Sequence, residues 1–188
     1  MTCGNMNGGE ENQGAAGGKN HIYNSRTDKT TDVWLTPPEL IRSLGEFDLD
    51  PAAASHRPWP TAKAHFTVQD DGLSKVWAGR VWLNPPYGRE VGLWLEKLRQ
   101  HGDGIALVTP RTETKWYFEH VWGRADAIFF FRGRLRFHHE DGTPGGTSTT
   151  PSCLVAYGQQ NVRAILRSGL DGCLVKSMHL MIVDQGLN

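Results

Sequence analysis

A junction between a strand pattern and a helix pattern in the middle of the chain places the strongest constraint on its fold. Residues 80–83 form a short apolar run of the kind found in buried strands, and Asn84-Pro85-Pro86-Tyr87 follows this run directly. Beyond residue 90, apolar side chains recur at the spacing of one helix face, at Val91, Trp94, Leu95 and Leu98. A strand, a tight turn and an amphipathic helix in succession are typical of an α/β protein.

The same alternation continues on both sides of this junction. Alternating apolar and acidic residues predict a strand at 47–50. Apolar runs predict further strands at 104–108, at 127–131 with a continuation towards 137, and at 153–157. Apolar spacing predicts further helices at residues 36–44, 112–122 and 162–166. Strands that alternate with helices predict an α/β sheet with helices on its faces.

The first of these helices carries a clear start signal. Thr36 can cap the helix, Pro37 and Pro38 suit the first helical position, and Glu39 completes a capping box three residues after the cap. Gly45 follows the last apolar residue of the pattern and predicts the end of the helix.

The length of 188 residues suits one folded domain with tails better than two full domains. Residues 1–30 are rich in Gly, Asn and charge and contain almost nothing apolar to bury, which predicts a disordered leader. We therefore expect the domain to span residues 31–175, with residues 176–188 as a C-terminal tail.

Charge and cysteine content narrow the class of protein. Twenty basic residues balance twenty acidic ones, so any surface that binds nucleic acid must be local. The three cysteines are scattered and lack metal-ligand spacing, which is typical of reduced thiols in a cytosolic protein. No stretch approaches the roughly 20 apolar residues that cross a membrane, so we expect no membrane partner.

Asn84-Pro85-Pro86-Tyr87 predicts chemistry on an amino group. An exocyclic amine is a poor nucleophile because its lone pair is delocalised into the ring. The side-chain carbonyl of Asn84 and the backbone carbonyl of Pro85 could accept its two N–H bonds and stabilise the positive charge that develops on methylation. The paired prolines would hold both acceptors in place, and Tyr87 offers a face on which an extruded base can stack. The alternative is a turn stiffened by proline, but the position at a strand's carboxyl end favours a ligand site.

Ordered segments around this tetrapeptide extend the interpretation. They are Trp34-Leu35-Thr36-Pro37, Phe47 to Ala53, Asp71-Gly72-Leu73, Leu107 to Arg111, Gly133 to Phe137, and Ser152 to Val155. Together they cover about residues 32–160. With these segments in this order, the chain resembles the phage and prophage DNA N6-adenine methyltransferases of the Dam-like type. The resemblance implies a class I S-adenosylmethionine-dependent methyltransferase fold, a mostly parallel, Rossmann-like seven-stranded sheet with helices on both faces. It also implies a protein encoded by a phage or prophage that acts in the bacterial cytoplasm.

The resemblance also implies which residues bind S-adenosyl-L-methionine. Asp50 and Pro51 would belong to the cofactor-binding first strand, Thr36-Pro37 to the segment that closes over the methionine part, and Asp71 would contact the adenine end. The glycine-rich turn usual after the first strand is replaced by residues 51–54, which are Pro-Ala-Ala-Ala. Asp50 could instead cap a helix, and Asp71 could instead form an ordinary Asp-Gly turn.

A basic segment predicts the contact with double-stranded DNA. Residues 111–136 contain six basic and three acidic residues. Because Arg132, Arg134 and Arg136 alternate, they would share one face of a strand, and with Arg111 we expect them to contact phosphates beside a mobile loop at 138–151. A solvated strand face is the alternative. The His-His-Glu-Asp run at 138–141 would lie on this flexible loop and makes a poor ligand set, so we predict no metal site.

The sequence therefore predicts a DNA adenine-N6 methyltransferase that extrudes its target base and takes the methyl group directly from S-adenosylmethionine, without a metal. Two alternatives stay open. The tetrapeptide also serves methyltransferases that act on protein glutamine or on RNA, and a module of the same fold could bind nucleic acid without catalysis. The sequence carries no signal for the recognition site or the oligomeric state.

Overall fold

The computed structural model describes residues 33–176. The predicted leader at 1–30 and all of the predicted tail except Lys176 lie outside these residues. Along the chain the elements are α1 (Pro38–Leu44), β1 (Leu49–Asp50), β2 (Ala64–His65), β3 (Val81–Leu83), α2 (Val91–His101), β4 (Gly104–Val108), α3 (Lys115–His120), β5 (Ala127–Phe131), β6 (Arg136–His138), β7 (Pro144–Thr147), β8 (Cys153–Tyr157), α4 (Gln159–Arg167) and β9 (Gly172–Lys176). No helix among them is long and apolar enough to cross a membrane.

Seven of the strands form one sheet in the order β2-β1-β3-β4-β8-β5-β9. The first four of these pair in parallel, whereas β8 is antiparallel to both β4 and β5, and β9 is antiparallel to β5. Five strands thus run in one direction, and β8 and β9 run in the other. The predicted α/β class is confirmed, but the mostly parallel sheet is confirmed only in part. The chain passes from β5 to β8 through β6 and β7 with no crossover helix, and such a connection returns the strand antiparallel.

Helices cover both faces of this sheet, as predicted. Side chains alternate along each strand, so Ile105 and Leu107 of β4 pack on the side of α1 and α4. Ala106 and Val108 pack on the opposite side, with α2 and α3. This period of two gives the sheet two apolar faces, and each face is buried under its own pair of helices.

The start of α1 differs from the prediction. The helix begins at Pro38 with Pro37 at the N-cap position, and no side chain caps it. Thr36 therefore precedes the cap, and the predicted capping box with Glu39 is wrong. The Thr36 side chain is buried and contacts Asn84 instead, so a tertiary hydrogen bond replaces the local one.

The region after β5 also differs from the prediction. The strand does not continue to residue 137, because Gly133 adopts a left-handed φ of 84° and turns the chain. Only Arg136 of the three alternating arginines lies in a strand, so their predicted common strand face is wrong. Arg132 and Arg134 lie in the turn.

The predicted loop at 138–151 contains a strand as well. β6 and β7 form a separate two-stranded sheet, and Leu35 joins it through two backbone hydrogen bonds to His138 of 2.9 and 3.0 Å. Gly145 lies so close to Trp34 that a Cβ there would come within 2.7 Å of the indole ring. The glycines that indicated a loop therefore allow this hairpin to pack closely on the segment before α1.

Candidate active site

A cavity of about 540 Å³ lies where the chain leaves the carboxyl ends of β1 and β3. Its size falls in the range of roughly 300–1,000 Å³ that is typical of small-molecule sites. Its lining contains eight of the nine residues predicted for catalysis or cofactor binding: Thr36, Asp50, Pro51, Asp71, Asn84, Pro85, Pro86 and Tyr87. Pro37, the ninth, is the N-cap of α1 and is not part of the lining.

The sheet explains why residues so distant in sequence meet here. β1 and β3 are parallel neighbours, with Leu49 opposite Val81. Asp50, the last residue of β1, and Asn84, the first residue after β3, therefore lie at the same edge of the sheet. Carboxyl ends of parallel strands are where α/β sheets bind ligands, because the chain opens there into loops.

Asn84 has one end of its side-chain amide occupied and the other free. Its Nδ2 donates to the backbone oxygen of Trp34 and to the Thr36 hydroxyl, each at 3.4 Å. Its Oδ1 is buried, and no group within residues 33–176 donates a hydrogen bond to it. An acceptor left in this state costs about 1–3 kcal/mol, so this position is suited to receive an N–H from a ligand.

The residues after Asn84 form one wall of the cavity. Pro85 is buried, Pro86 is exposed, and Tyr87 is 53% exposed. An aromatic ring with this exposure at a cavity wall offers a flat apolar face to an incoming planar group. The arrangement brings the amide acceptor and an aromatic face to the same end of one strand.

Asp50 is a buried carboxylate at the end of β1, only 3% exposed. The Thr61 hydroxyl and the Ala52 backbone N–H both donate to it, the latter at 3.1 Å. Burial raises the pKa of Asp50 to about 6, against the lowering effect of these two hydrogen bonds and of the Arg57 guanidinium. Asp50 is therefore an acid that titrates close to neutral pH inside the cavity.

Asp71 reaches the cavity through a tight turn. Its φ is 52°, and its backbone oxygen accepts from the Ser74 N–H at 2.9 Å, so the predicted Asp-Gly turn is present. A Cβ on Gly72 would overlap with the carbonyl oxygen of Pro51. The glycine thus allows this turn to press against the segment after β1, and Asp71 is held at the edge of the cavity.

The charged side chains of the lining are mostly acidic. Four carboxylates belong to Asp50, Asp71, Glu90 and Glu140, whereas Arg57 supplies the single guanidinium among the lining residues. The Arg57 side chain also donates to the Ala54 backbone oxygen at 2.7 Å. A cavity with this surplus of negative charge favours a ligand that carries net positive charge.

A comparison with known families identifies the chain. A sequence model described as DNA N-6-adenine-methyltransferase (Dam) matches residues 24–168. The chain belongs to the Dam family. The resemblance stated above on the ordered segments is thereby confirmed, and a family of methyltransferases implies a methyl donor.

A curated relative of the Dam family gives the same result over part of its length. A DNA N-6-adenine-methyltransferase of Escherichia phage T1 is 33% identical over 123 residues, which are 60% of this chain and 50% of the relative. The chain therefore spans about half the length of this relative. No solved structure matches the chain.

The arginines predicted for DNA lie outside the cavity of this Dam-family protein. Arg111 follows β4 and Arg132 follows β5, and both strands run in the direction of β3, so both residues lie towards the edge that carries Asn84. All four arginines, with Arg134 and Arg136, are exposed. Arg132 already has a partner, since its Nε lies 3.5 Å from Asp171.

Several cavity residues escaped the sequence interpretation. Trp94 lies on the apolar face of α2 and packs in the core, as its spacing predicts, but it also lines the cavity. Its indole N–H is buried without an acceptor among residues 33–176. Glu140 lies in the segment predicted to be a mobile loop, and it reaches the cavity because the hairpin packs on Trp34. No group of three or more His, Cys, Asp or Glu side chains in the described part of the chain is arranged to hold a metal ion.

Proposed function

We propose that this chain transfers a methyl group from S-adenosylmethionine to N6 of adenine in double-stranded DNA. The proposal is supported above all by the buried Oδ1 of Asn84, which lies beside a cavity and has no hydrogen-bond donor among residues 33–176, in a chain that belongs to the Dam family. An amine with two N–H bonds is the partner that such an acceptor lacks. We further expect the protein to act in the cytoplasm of a bacterial host, encoded by a phage or prophage.

The cavity fits the proposed cofactor by charge. S-adenosylmethionine carries a sulfonium and an ammonium group against one carboxylate, so it is a net cation. The described lining residues offer four carboxylates against one guanidinium. The indole N–H of Trp94, which has no acceptor within residues 33–176, offers a donor. Both features favour a cation that also carries hydrogen-bond acceptors.

Particular residues would hold this cofactor. We assign Asp50 and Asp71 to its polar groups, Pro51 to a close backbone approach, and the Thr36-Pro37 segment to the methionine part through its main chain. Once bound, S-adenosylmethionine supplies a methyl group activated by its sulfonium sulfur. The buried position of Asp50 keeps water away from its charge, which strengthens its attraction for a cation.

Asn84, Pro85 and Tyr87 would act on the target base. The Asn84 Oδ1 and the Pro85 carbonyl oxygen accept the two N–H bonds of the adenine amine and direct its lone pair to the methyl group. As the N–C bond formed, the bond between the methyl carbon and sulfur would break and leave its electron pair on sulfur as a neutral thioether. Positive charge would develop on N6, and these two oxygens would stabilise it. The methylated amine then loses a proton to water. Pro86 restricts the backbone between the acceptor and the Tyr87 ring, on which the extruded base stacks.

We also assign the class I methyltransferase fold to this domain. Five strands with a common direction, helices on both faces and a ligand cavity at the strand carboxyl ends support the assignment. The two opposed strands, β8 and β9, lie beyond β4 and do not touch β1 or β3. The half of the sheet that carries the cavity is therefore wholly parallel.

The exposed arginines support DNA as the substrate. All four predicted arginines lie outside the cavity. Arg111, three residues after the end of β4, and Arg132, the first residue after β5, lie towards the edge that carries Asn84. A duplex that lies across this edge could present one extruded base to the cavity while its phosphates meet the arginines.

The salt dependence of DNA binding tests whether these arginines contact phosphates. We expect Arg134→Gln to weaken binding to all DNA sequences alike and to reduce the slope of log K against log salt concentration by about 1, because one phosphate contact is lost. Arg163→Gln is the matched control, since Arg163 is exposed on α4 and lies away from the cavity. Fluorescence anisotropy over a range of salt concentrations measures both. An unchanged slope for Arg134→Gln would remove this residue from the interface.

Transfer of label tests the function. The full chain is incubated with tritiated S-adenosylmethionine and, separately, with double-stranded DNA, RNA and unrelated protein. We expect label in DNA alone. Label only in RNA or protein would favour the other enzymes that carry this tetrapeptide. Binding of cofactor or DNA without any transfer would favour a module that lacks catalysis.

A further inference from the structure

The amide of Asn84 has two chemically different ends, and only one of them can accept the target amine. If the amide turned over, Nδ2 would take the place of the free acceptor, and a donor would face the N–H bonds of the base. The two orientations have almost the same shape, so packing alone does not distinguish them. The hydrogen-bond partners of Asn84 must therefore set its orientation.

The segment before α1 provides those partners. The backbone oxygen of Trp34, 3.4 Å from the Asn84 Nδ2, can only accept, so it excludes the orientation in which Oδ1 would face it. The Thr36 hydroxyl, also 3.4 Å from Nδ2, is the second acceptor. Because a hydroxyl can accept or donate, the Trp34 carbonyl decides the direction and Thr36 reinforces it.

Thr36 is itself held in place. It is 3% exposed, and its backbone oxygen accepts from the Trp59 indole N–H at 3.1 Å. Its neighbour Leu35 is fixed by the two backbone hydrogen bonds to His138. The Thr36 hydroxyl thus belongs to a segment that is anchored on both sides, as a positioning group requires.

We infer that Thr36 is a positioning residue whose hydroxyl, as the second acceptor beside the Trp34 carbonyl, helps to hold the Asn84 amide with Oδ1 turned towards the target amine. This inference rests on the proposed function. It gives the Thr36 side chain a role other than the helix cap predicted from the sequence, and it leaves contact with the cofactor to the main chain of this segment. Thr36 touches neither the reacting amine nor the methyl group and acts through Asn84.

Steady-state kinetics of three variants tests the inference. Thr36→Val keeps the shape and removes the acceptor, and we expect kcat to fall about tenfold, as for one lost hydrogen bond, with cofactor Kd within about twofold of wild type. Thr36→Ser restores the hydroxyl and should restore kcat. Thr61→Val makes the same chemical change in the same cavity, but its hydroxyl donates to Asp50, so KM for the cofactor should rise more than kcat falls.

Two results would overturn the inference. One is wild-type kcat in Thr36→Val, and the other is a parallel loss of kcat and cofactor affinity that Thr36→Ser does not repair. Thr36→Ala carries the same expectation if the valine variant does not fold, which circular dichroism would show. A wild-type protein that makes no N6-methyladenine would count against the proposed function, whereas an active wild type with a fully active Thr36→Val would count against the positioning role alone.

Discussion

Asn84→Ala lowers kcat for DNA methylation by about 10²–10³-fold or more, the cost typical of removing one group that stabilises transition-state charge. The substitution removes the side-chain acceptor for the adenine amine and leaves the Pro85 carbonyl alone. Cofactor affinity should stay near that of the wild type, because Asn84 donates to Trp34 and Thr36 and is not assigned to the cofactor. Stability should also change little, since the variant removes two long hydrogen bonds together with a buried oxygen that has no donor in the described part of the chain.

A second substitution at this position serves as the control. Asn84→Asp keeps an acceptor but brings a carboxylate oxygen towards the Trp34 carbonyl, so we expect activity between that of the wild type and that of the alanine variant. Initial rates at saturating cofactor and DNA, with calorimetric titration of cofactor, give the two quantities. Activity of Asn84→Ala within threefold of wild type would show that the amide is not the acceptor.

Asp50→Asn weakens cofactor binding about 10- to 100-fold at pH 8, as expected for the loss of one hydrogen bond to a charged group. The wild-type affinity should fall as pH decreases through about 6, because burial raises the Asp50 pKa to that value and protonation removes the charge. The asparagine variant is neutral at every pH, so its affinity should show no such step.

The same substitution should stabilise the fold at pH 8. The pKa of Asp50 is higher in the folded protein, about 6, than the ordinary 3.8, so the folded state binds this proton more tightly than the unfolded state does. Protonation of Asp50 therefore increases the wild-type free energy of unfolding as pH falls from 7 to 4. Above pH 7 the buried charge lowers that free energy by on the order of 1–3 kcal/mol. Asp50→Asn removes that cost, so its urea midpoint at pH 8 should exceed that of the wild type.

Asp48→Asn is the matched control for the cofactor affinity and for its pH dependence. Asp48 lies two residues earlier and outside the cavity lining, and its pKa is lowered chiefly by the hydrogen bond from the Arg80 backbone N–H. Its replacement should leave cofactor affinity and the step near pH 6 unchanged. Equal cofactor affinity in the wild type and Asp50→Asn at pH 8 would remove Asp50 from the cofactor site.

The sequence predicted those helices and strands whose own residues show an apolar repeat or run. The apolar spacing from Val91 to Leu98 gave α2, and the apolar runs gave β3, β4 and β8, because each buries a face that its own sequence reveals. The direction of β8 could not be predicted from the residues of the strand itself. It depends on the hairpin at residues 136–147, whose glycines and proline have the composition of a loop.

The site could be predicted where it follows a strand. Asp50 and Asn84 end or follow buried strands, and that position alone brings them to one edge of the sheet. Thr36 was given a local role because the capping signal of its own neighbours is strong. Its hydrogen bond to a residue 48 positions later leaves no local trace. Trp94 has the spacing of a core residue, so its place in the cavity depends on tertiary structure alone.

The identity of the methylated nucleoside shows whether this chain methylates adenine N6 in DNA. Double-stranded DNA is incubated with the full chain and S-adenosylmethionine that carries a deuterated methyl group, then digested to nucleosides for mass spectrometry. We expect deuterated N6-methyldeoxyadenosine with the wild type and none with Asn84→Ala. Deuterated methylcytosine in place of methyladenine would rule out adenine N6 as the target, and equal methyladenine from the alanine variant would rule out the proposed role of Asn84.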